Sequence, residues 1–286
     1  PDGFACPRCG HTRAYRMREH RRWQCVACRY QVSLTAGTIL HNTKTALTVG
    51  FWATYLTVTD KRGMSALLLQ RQLGLRRYET AWLLLHKLRR AMVRPGRERL
   101  RGRVEVDETY LGEGEAGVRG RQTRRKARIV VAAEEDGRGI GRIRMRHIPD
   151  ASAARLHPFV SDAVEPGSVV HTDGWEGYTG LDQIGYRHEV TPLRGRKGAA
   201  AELQPRVHRV VSLLKRWLLG THHGAVSQVH LDYYLDEFTF RFNRRTARHR
   251  GKLFYRLVQQ AVAVEPAPYK TLTKKARGRK PQRHKM

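Results

Sequence analysis

The sequence has no long apolar run. Its longest uncharged stretch, residues 45–59, is interrupted by Thr45, Thr48, Thr54, Thr57 and Thr59 and is shorter than the ~20 residues that span a bilayer. No secretory signal is evident, so no membrane partner is expected. Acidic residues are few: 25 Asp and Glu stand against 55 Lys and Arg, a formal charge of +30 over 286 residues. An imbalance this large exceeds what solubility needs and calls for a polyanionic partner, nucleic acid first. Cysteine disappears after residue 28, which leaves no catalytic thiol in the rest of the chain. The chain opens on Pro1 rather than Met, as expected of a piece whose true start lies upstream.

The four cysteines present, Cys6, Cys9, Cys25 and Cys28, form two C-x-x-C pairs with 15 residues between them. Each pair can hold one side of a tetrahedral Zn2+ from a tight turn. Residues 1–40 therefore read as a zinc ribbon, shaped by structural Zn2+ rather than by a core. Two disulfides are the alternative; they belong to oxidising compartments, and nothing here points to export. A reducing cytoplasm is the expected location.

A chain of this length has room for two or three modules. Over 41–98 the period becomes helical, and Phe51, Trp52, Tyr55 and Leu56 make one apolar face. A short helix at Leu67–Leu73, a turn at Gly74 and a second helix at Tyr78–Met92 form a helix-turn-helix-like arrangement, for which an ordinary hairpin is the plain alternative. Its candidate DNA contacts are Arg71, Arg76, Arg77, Lys87 and Arg90. Pro95 and Gly96 end the second helix.

Residues 101–250 alternate instead. Strands are expected at 104–110, 127–133 and 141–148, then a helix at 151–164 with Asp150 as N-cap, strands at 168–171 and 186–191, and helices near 203–219 and 226–243. This order predicts an α/β fold with an RNase H-like catalytic domain, in which the first and fourth strands are neighbours. Residues 251–286 add a C-terminal helix and a basic tail containing Lys274, Lys275, Arg277, Arg279 and Lys280 with no acid among them, suited to holding DNA by counterion release.

Asp107 is read as ending the apolar run of the first of these strands, and Asp173 as following that of the fourth. Each alone reads as a turn or cap residue. Brought together at one sheet edge, they would repel unless a cation lay between them, and hard divalent ions take oxygen ligands. Two such ions roughly 4 Å apart serve in-line phosphoryl displacement. A third ligand is expected from a following helix. His208 lies 34 intervening residues beyond Asp173, with Lys215 two turns further on the same face, and Glu202 is the carboxylate rival. Glu108 should face the other side of the sheet. Trp175 and Tyr178 stack on a base or cap the core, and His222 and His223 read as a solvated loop. Arg241, Asn243, Arg244 and Arg245 are candidate phosphate contacts beside a Phe238–Phe242 core face.

In order along the chain, CPRCG with its second C-x-x-C, SALLLQRQLGLRRYETAWLLLHKLRRAM, VEVDETYLGEGE, HTDGWEGY, SLLKRWLLGTHHG and YYLDEFTFRFNRR resemble the blocks of IS1595-family (ISXO2-like) insertion-sequence transposases. The resemblance covers residues 4 to about 258, and six blocks together are far more specific than any one. It implies a DDE-type domain that cuts transposon ends and joins the freed 3′-hydroxyl to target DNA using Mg2+ or Mn2+. Asp107 and Asp173 match the first two acidic positions and Lys215 keeps its place. His208 falls where many relatives carry Glu. An imidazole there should favour Mn2+ over Mg2+. The implied partners are double-stranded DNA, as terminal inverted repeats and target, and further copies of the chain on that DNA; the implied setting is the bacterial nucleoid. A non-enzymatic DNA-binding regulator and a nuclease that cuts without joining are the rival readings.

Overall fold

The computed structural model describes residues 3–17, 22–94, 96–112, 126–191, 204–224, 226–267 and 269–273. Glu202 and the tail beyond 273 fall outside them. The ribbon is a three-stranded antiparallel sheet of β1 (Ala14–Arg16), β2 (Arg22–Cys25) and β3 (Gln31–Ser33) in that order.

Three helices follow: α1 (Leu47–Thr59), α2 (Ala66–Gln72) and α3 (Tyr78–Ala91). Ser65 caps α2 by accepting Leu68 N–H at 3.2 Å, and Gly74, at φ 59°, turns the chain towards α3. The apolar stripe of α1 faces the opposite way from a core stripe. Gly50, Ala53, Thr54, Thr57 and Val58 are buried, while Phe51, Trp52 and Tyr55 are 44%, 59% and 42% exposed. Small residues at helical spacing let α1 lie close against its neighbours, which leaves the aromatics outside.

The second layer is a five-stranded sheet. β4 (Arg103–Leu111), β5 (Ala127–Asp136) and β6 (Gly139–Ile148) form an antiparallel meander, and β7 (Val169–Thr172) and β8 (Arg187–Val190) continue in parallel on the far side of β4. The order is β6-β5-β4-β7-β8, so the first and fourth strands of the unit are neighbours as expected. Alternation along β4 and β5 sorts residues between two faces. Val104, Val106, Val130 and Ala132 pack with Leu156, Phe159 and Val160 of α4 (Ala153–Ala163). Ile129, Val131 and Ala133 pack with Val207, Val210 and Leu214 of α5 (Pro205–His222) and Leu235 and Phe238 of α6 (Leu231–Phe242). Burial of such side chains contributes roughly 1.5–3 kcal/mol each, enough to hold α5 firmly across the sheet. Ser152, not Asp150, is the N-cap residue of α4; the Asp150 carboxylate accepts the Ser152 N–H at 3.0 Å.

Two further helices, α7 (Arg250–Ala263) and α8 (Tyr269–Thr273), close the described chain. Leu253 and Leu257 of α7 and Phe240 of α6 share one core with Ala53, Leu69, Leu85 and Leu88 of the first three helices. The helical region thus packs on the C-terminal helices rather than standing alone.

Candidate active site

One cluster of ligand-type residues is gathered, and elsewhere a histidine and a carboxylate approach each other. In the ribbon, Cys6, Cys9, Cys25 and Cys28 hold their sulfurs within 4.8 Å of one another, with Cys6 Sγ to Cys28 Sγ and Cys9 Sγ to Cys25 Sγ both at 3.6 Å. Tetrahedral Zn–S bonds of ~2.3 Å place sulfurs about 3.8 Å apart, so the cluster fits a zinc ion. The two knuckles are built alike. The N–H groups of Cys6 and Cys25 donate to His11 O and Tyr30 O, and the residues after the second cysteines, Gly10 and Arg29, have φ of 72° and 57°. Among the described residues this is the group of three or more ligand atoms gathered closely enough for an ion.

The second group lies beside the middle of β4, where Asp107 stands, and the carboxyl end of β7, which Asp173 follows; the sequence expectation that Asp107 ends its strand does not hold, because β4 runs on to Leu111 paired with β5. The parallel register pairs Arg103 with Val169 and Glu105 with His171. Asp107 and Asp173 each lie two residues beyond the last pair of this register, and Asp173 follows the last residue of β7. Asp173 Oδ1 accepts the Trp175 N–H at 3.0 Å, and Asp107 Oδ1 accepts the Glu108 N–H at 2.7 Å. From α5, His208 Nε2 comes within 3.8 Å of Asp107 Oδ2. That nitrogen is buried and has no hydrogen-bond partner among the described residues. Two bonds of ~2.1 Å can bridge up to ~4.2 Å, so an orphaned ring nitrogen and a carboxylate at this separation fit a shared divalent cation. Burial is the main cause that lowers the His208 pKa; Glu105 and Asp173 oppose it and Lys215 adds to it. Lys215 stands exposed two turns along α5, its pKa lowered by desolvation and by Lys126.

The remaining candidates divide. Arg71, Arg76 and Arg77 are exposed around the α2–α3 turn and Arg90 is half-buried. Lys87 is only 6% exposed, with its pKa lowered by that burial, so its placement departs from the surface DNA contact expected of it. Arg244 stacks 4.0 Å over Phe240, and Arg245 lies 4.1 Å over Phe242 while donating to Gly141 O at 3.2 Å. Arg241 and Asn243 are tethers, not surface groups. Arg241 holds Glu237, Asp60 O and Thr57 O; Asn243 bonds both Ile143 N and Ile143 O. Tyr178 is fully buried and Trp175 Nε1–H donates to Ala151 O at 2.8 Å, so both serve the core. Glu108 stands opposite Val130, on the α4 face. His222 is not in a solvated loop: it packs edge-on against Trp217 and Tyr234.

Three residues beside the site carry no signal that singles them out in the sequence: Glu105, Gln204 and Arg206. An acid at alternate spacing from Asp107 and a Gln–Pro pair opening a helix were the available hints.

Residues 99–243 match the family described as ISXO2-like transposase domain, and residues 1–31 match the transposase zinc-ribbon domain. No curated protein matches the chain. Among solved structures, the chain is similar to a component of the simian T-cell lymphotropic virus intasome in complex with PP2A regulatory subunit B56 gamma. The identity is 14% over 58% of this chain and 63% of that one, with a TM-score of 0.32. It is also similar to a component of a pre-cleavage Mos1 transpososome, 13% identical over 74% of this chain and 77% of that one, with a TM-score of 0.20. The chain spans less than two thirds of the first of these, and neither likeness is close enough to bear on the fold.

Proposed function

Because the chain belongs to the IS1595 family of ISXO2-like transposases, we propose that its sheet is an RNase H-like catalytic layer that cuts transposon ends and joins the freed 3′-hydroxyl to target DNA. The observation that carries the reading is His208 Nε2 at 3.8 Å from the Asp107 carboxylate, with Asp173 just past the end of the adjacent parallel strand. Asp107, Asp173 and His208 would hold Mg2+ or Mn2+. When bound, such a cation activates the attacking oxygen and stabilises the leaving one. The protein's own residues do the rest. Burial of His208 favours its neutral ring, the strands position the two carboxylates, and Lys215 offers a cation to the scissile phosphate.

DNA is the partner that the charge calls for, with Arg71, Arg76 and Arg77 on the α2–α3 turn and Arg90, Arg244 and Arg245 as supplementary contacts. Lys87 is left out for its burial. Paired ends require more than one copy of the chain, and action on a chromosome places it in the bacterial cytoplasm.

The test uses a duplex oligonucleotide carrying the terminal repeat read from DNA flanking the gene, incubated with Mn2+ or Mg2+. Metal-dependent cleavage with a joined product supports the transposase; cleavage without joining leaves a nuclease, and binding without cleavage leaves a regulator.

A further inference from the structure

Glu105 precedes Asp107 by two residues and so shares its face of β4. It is 1% exposed, an unusual place for a carboxylate. Glu105 Oε2 accepts the backbone N–H groups of Arg206 and Val207 at 2.8 and 2.9 Å, and Oε1 accepts Arg206 Nη1–H at 3.0 Å. Those amides belong to the first turn of α5, whose own N-cap residue, Gln204, makes no capping bond with its side chain. A strand about a hundred residues earlier therefore supplies the cap, and negative charge there suits the helix dipole.

Gln204 has another task. Fully buried, it donates Nε2–H to His171 O at 3.0 Å and approaches Val106 O at 3.5 Å, one carbonyl on each strand that leads to a candidate carboxylate. The β4–β7 register ends at Glu105 and His171, so the amide sits where the two strands part. The guanidinium of Arg206 continues to Glu135 Oε1 at 2.6 Å and to Gly137 O and Gly139 O, fastening the same turn to β5 and its hairpin.

We propose that Glu105 and Gln204 are positioning residues that set His208 in register with Asp107 by pinning the first turn of α5 to both carboxylate-bearing strands. The inference rests on the transposase reading above. Glu105 and Asp107 are fixed to each other by the strand. Val207 and His208 are fixed to each other by the helix. One clamp between them therefore sets the separation of His208 from Asp107, and a slip of the helix moves the imidazole by the same amount.

The experiment uses the zinc-loaded full chain and its Glu105→Gln, Glu105→Ala and Gln204→Leu variants. Three quantities are read: single-turnover nicking of supercoiled plasmid with MnCl2, plasmid affinity, and Mn2+ binding from the electron paramagnetic resonance signal of the free ion. Since a 1 Å misplacement costs on the order of 100-fold, Glu105→Ala should nick about 100-fold more slowly, with plasmid affinity within about twofold. Glu105→Gln keeps one acceptor oxygen and should recover roughly a tenth of the wild-type rate, and Mn2+ binding should weaken about tenfold in all three variants. Should Glu105→Ala fail to fold, Glu105→Gln and Gln204→Leu carry the test. Wild-type nicking and Mn2+ binding in those two would overturn the positioning role while the transposase reading stands. A rate loss matched by an equal loss of folded protein would also overturn it. A wild-type chain that neither binds Mn2+ nor nicks would remove the functional reading, and the positioning role with it.

Discussion

Arg89 on α3 and Glu237 on α6 form a 2.8 Å ion pair whose side chains are 2% and 0% exposed. Burial alone would raise the Glu237 pKa, but Arg241 and Arg89 outweigh it and hold the carboxyl down to about 2. Removing Glu237 takes the carboxylate from both Arg89 and Arg241, whereas removing Arg89 leaves Glu237 its 2.8 Å pair with Arg241. Glu237→Gln is expected to cost roughly 3–5 kcal/mol, and Arg89→Met less, because Arg241 still faces the carboxylate. Chemical denaturation of the two variants checks this; an equal or larger loss in Arg89→Met would contradict it.

Acid should weaken the same junction well before carboxylates titrate. Burial, followed by the charge of Arg89, lowers His86 to about 3 and His222 to about 4, whereas an unfolded histidine titrates near 6.5. Other charged or titratable groups facing the two rings are Glu237, Arg241, His223 and His230. The unfolded chain takes up protons that the folded chain refuses. Stability is therefore complete above ~6.5 and falls as pH drops towards 4 and 3, with Glu237 adding its own loss below ~4.5. Guanidinium midpoints measured from pH 7 to 4.5 should decline, and His86→Gln should flatten that decline by about one proton.

Zinc is expected to be part of the fold of the ribbon. Chelation or Cys25→Ser should unfold residues 1–40, because metal binding worth on the order of 10–16 kcal/mol stands in for a core. Zinc content together with protease cleavage mapped to this segment tests it. A chelated ribbon that stays protected would count against the metal.

At the carboxylate cluster, Asp107→Asn and Asp173→Asn should each slow cleavage by about a thousandfold, the size expected when several kcal/mol of charge stabilisation is lost. His208→Glu should improve activity in Mg2+ relative to Mn2+ as a harder ligand replaces imidazole. The ratio of rates in the two metals is the measurement.

For DNA binding, Arg76→Ala and Arg77→Ala should each reduce the slope of log affinity against log salt by about 1, as expected for one lost phosphate contact. Lys87→Met should leave the slope unchanged, since that ammonium is buried. A Lys87 effect equal to that of Arg77 would reverse the assignment.

Much of this was legible locally. Zinc-ligand spacing is written in four cysteines, and the alternation of Val104 to Tyr110 revealed a strand, although Asp107 stands in its middle and not at its end. What escaped depended on partners distant in sequence. The period of α1 marked an aromatic stripe but could not say that Gly50, Ala53 and Thr57 would face the protein instead. Lys87 carries the composition of a DNA contact, and only tertiary packing shows it covered. Arg241 and Asn243 resembled phosphate ligands because their carbonyl partners, Thr57, Asp60 and Ile143, lie about a hundred residues or more away. Glu105 was hidden for the same reason, its helix being supplied by residues 206 and 207.

The shared core of α1, α3, α6 and α7 also bears on how the protein is made. Arg89 and Glu237 are 148 positions apart. At ~5–20 residues per second, the ribosome delivers the second roughly 7–30 s after the first. Throughout that interval the first three helices lack the surface they pack on, so a nascent chain stopped before α6 should bind chaperones or apolar dyes through these helices, and release should follow synthesis of α7.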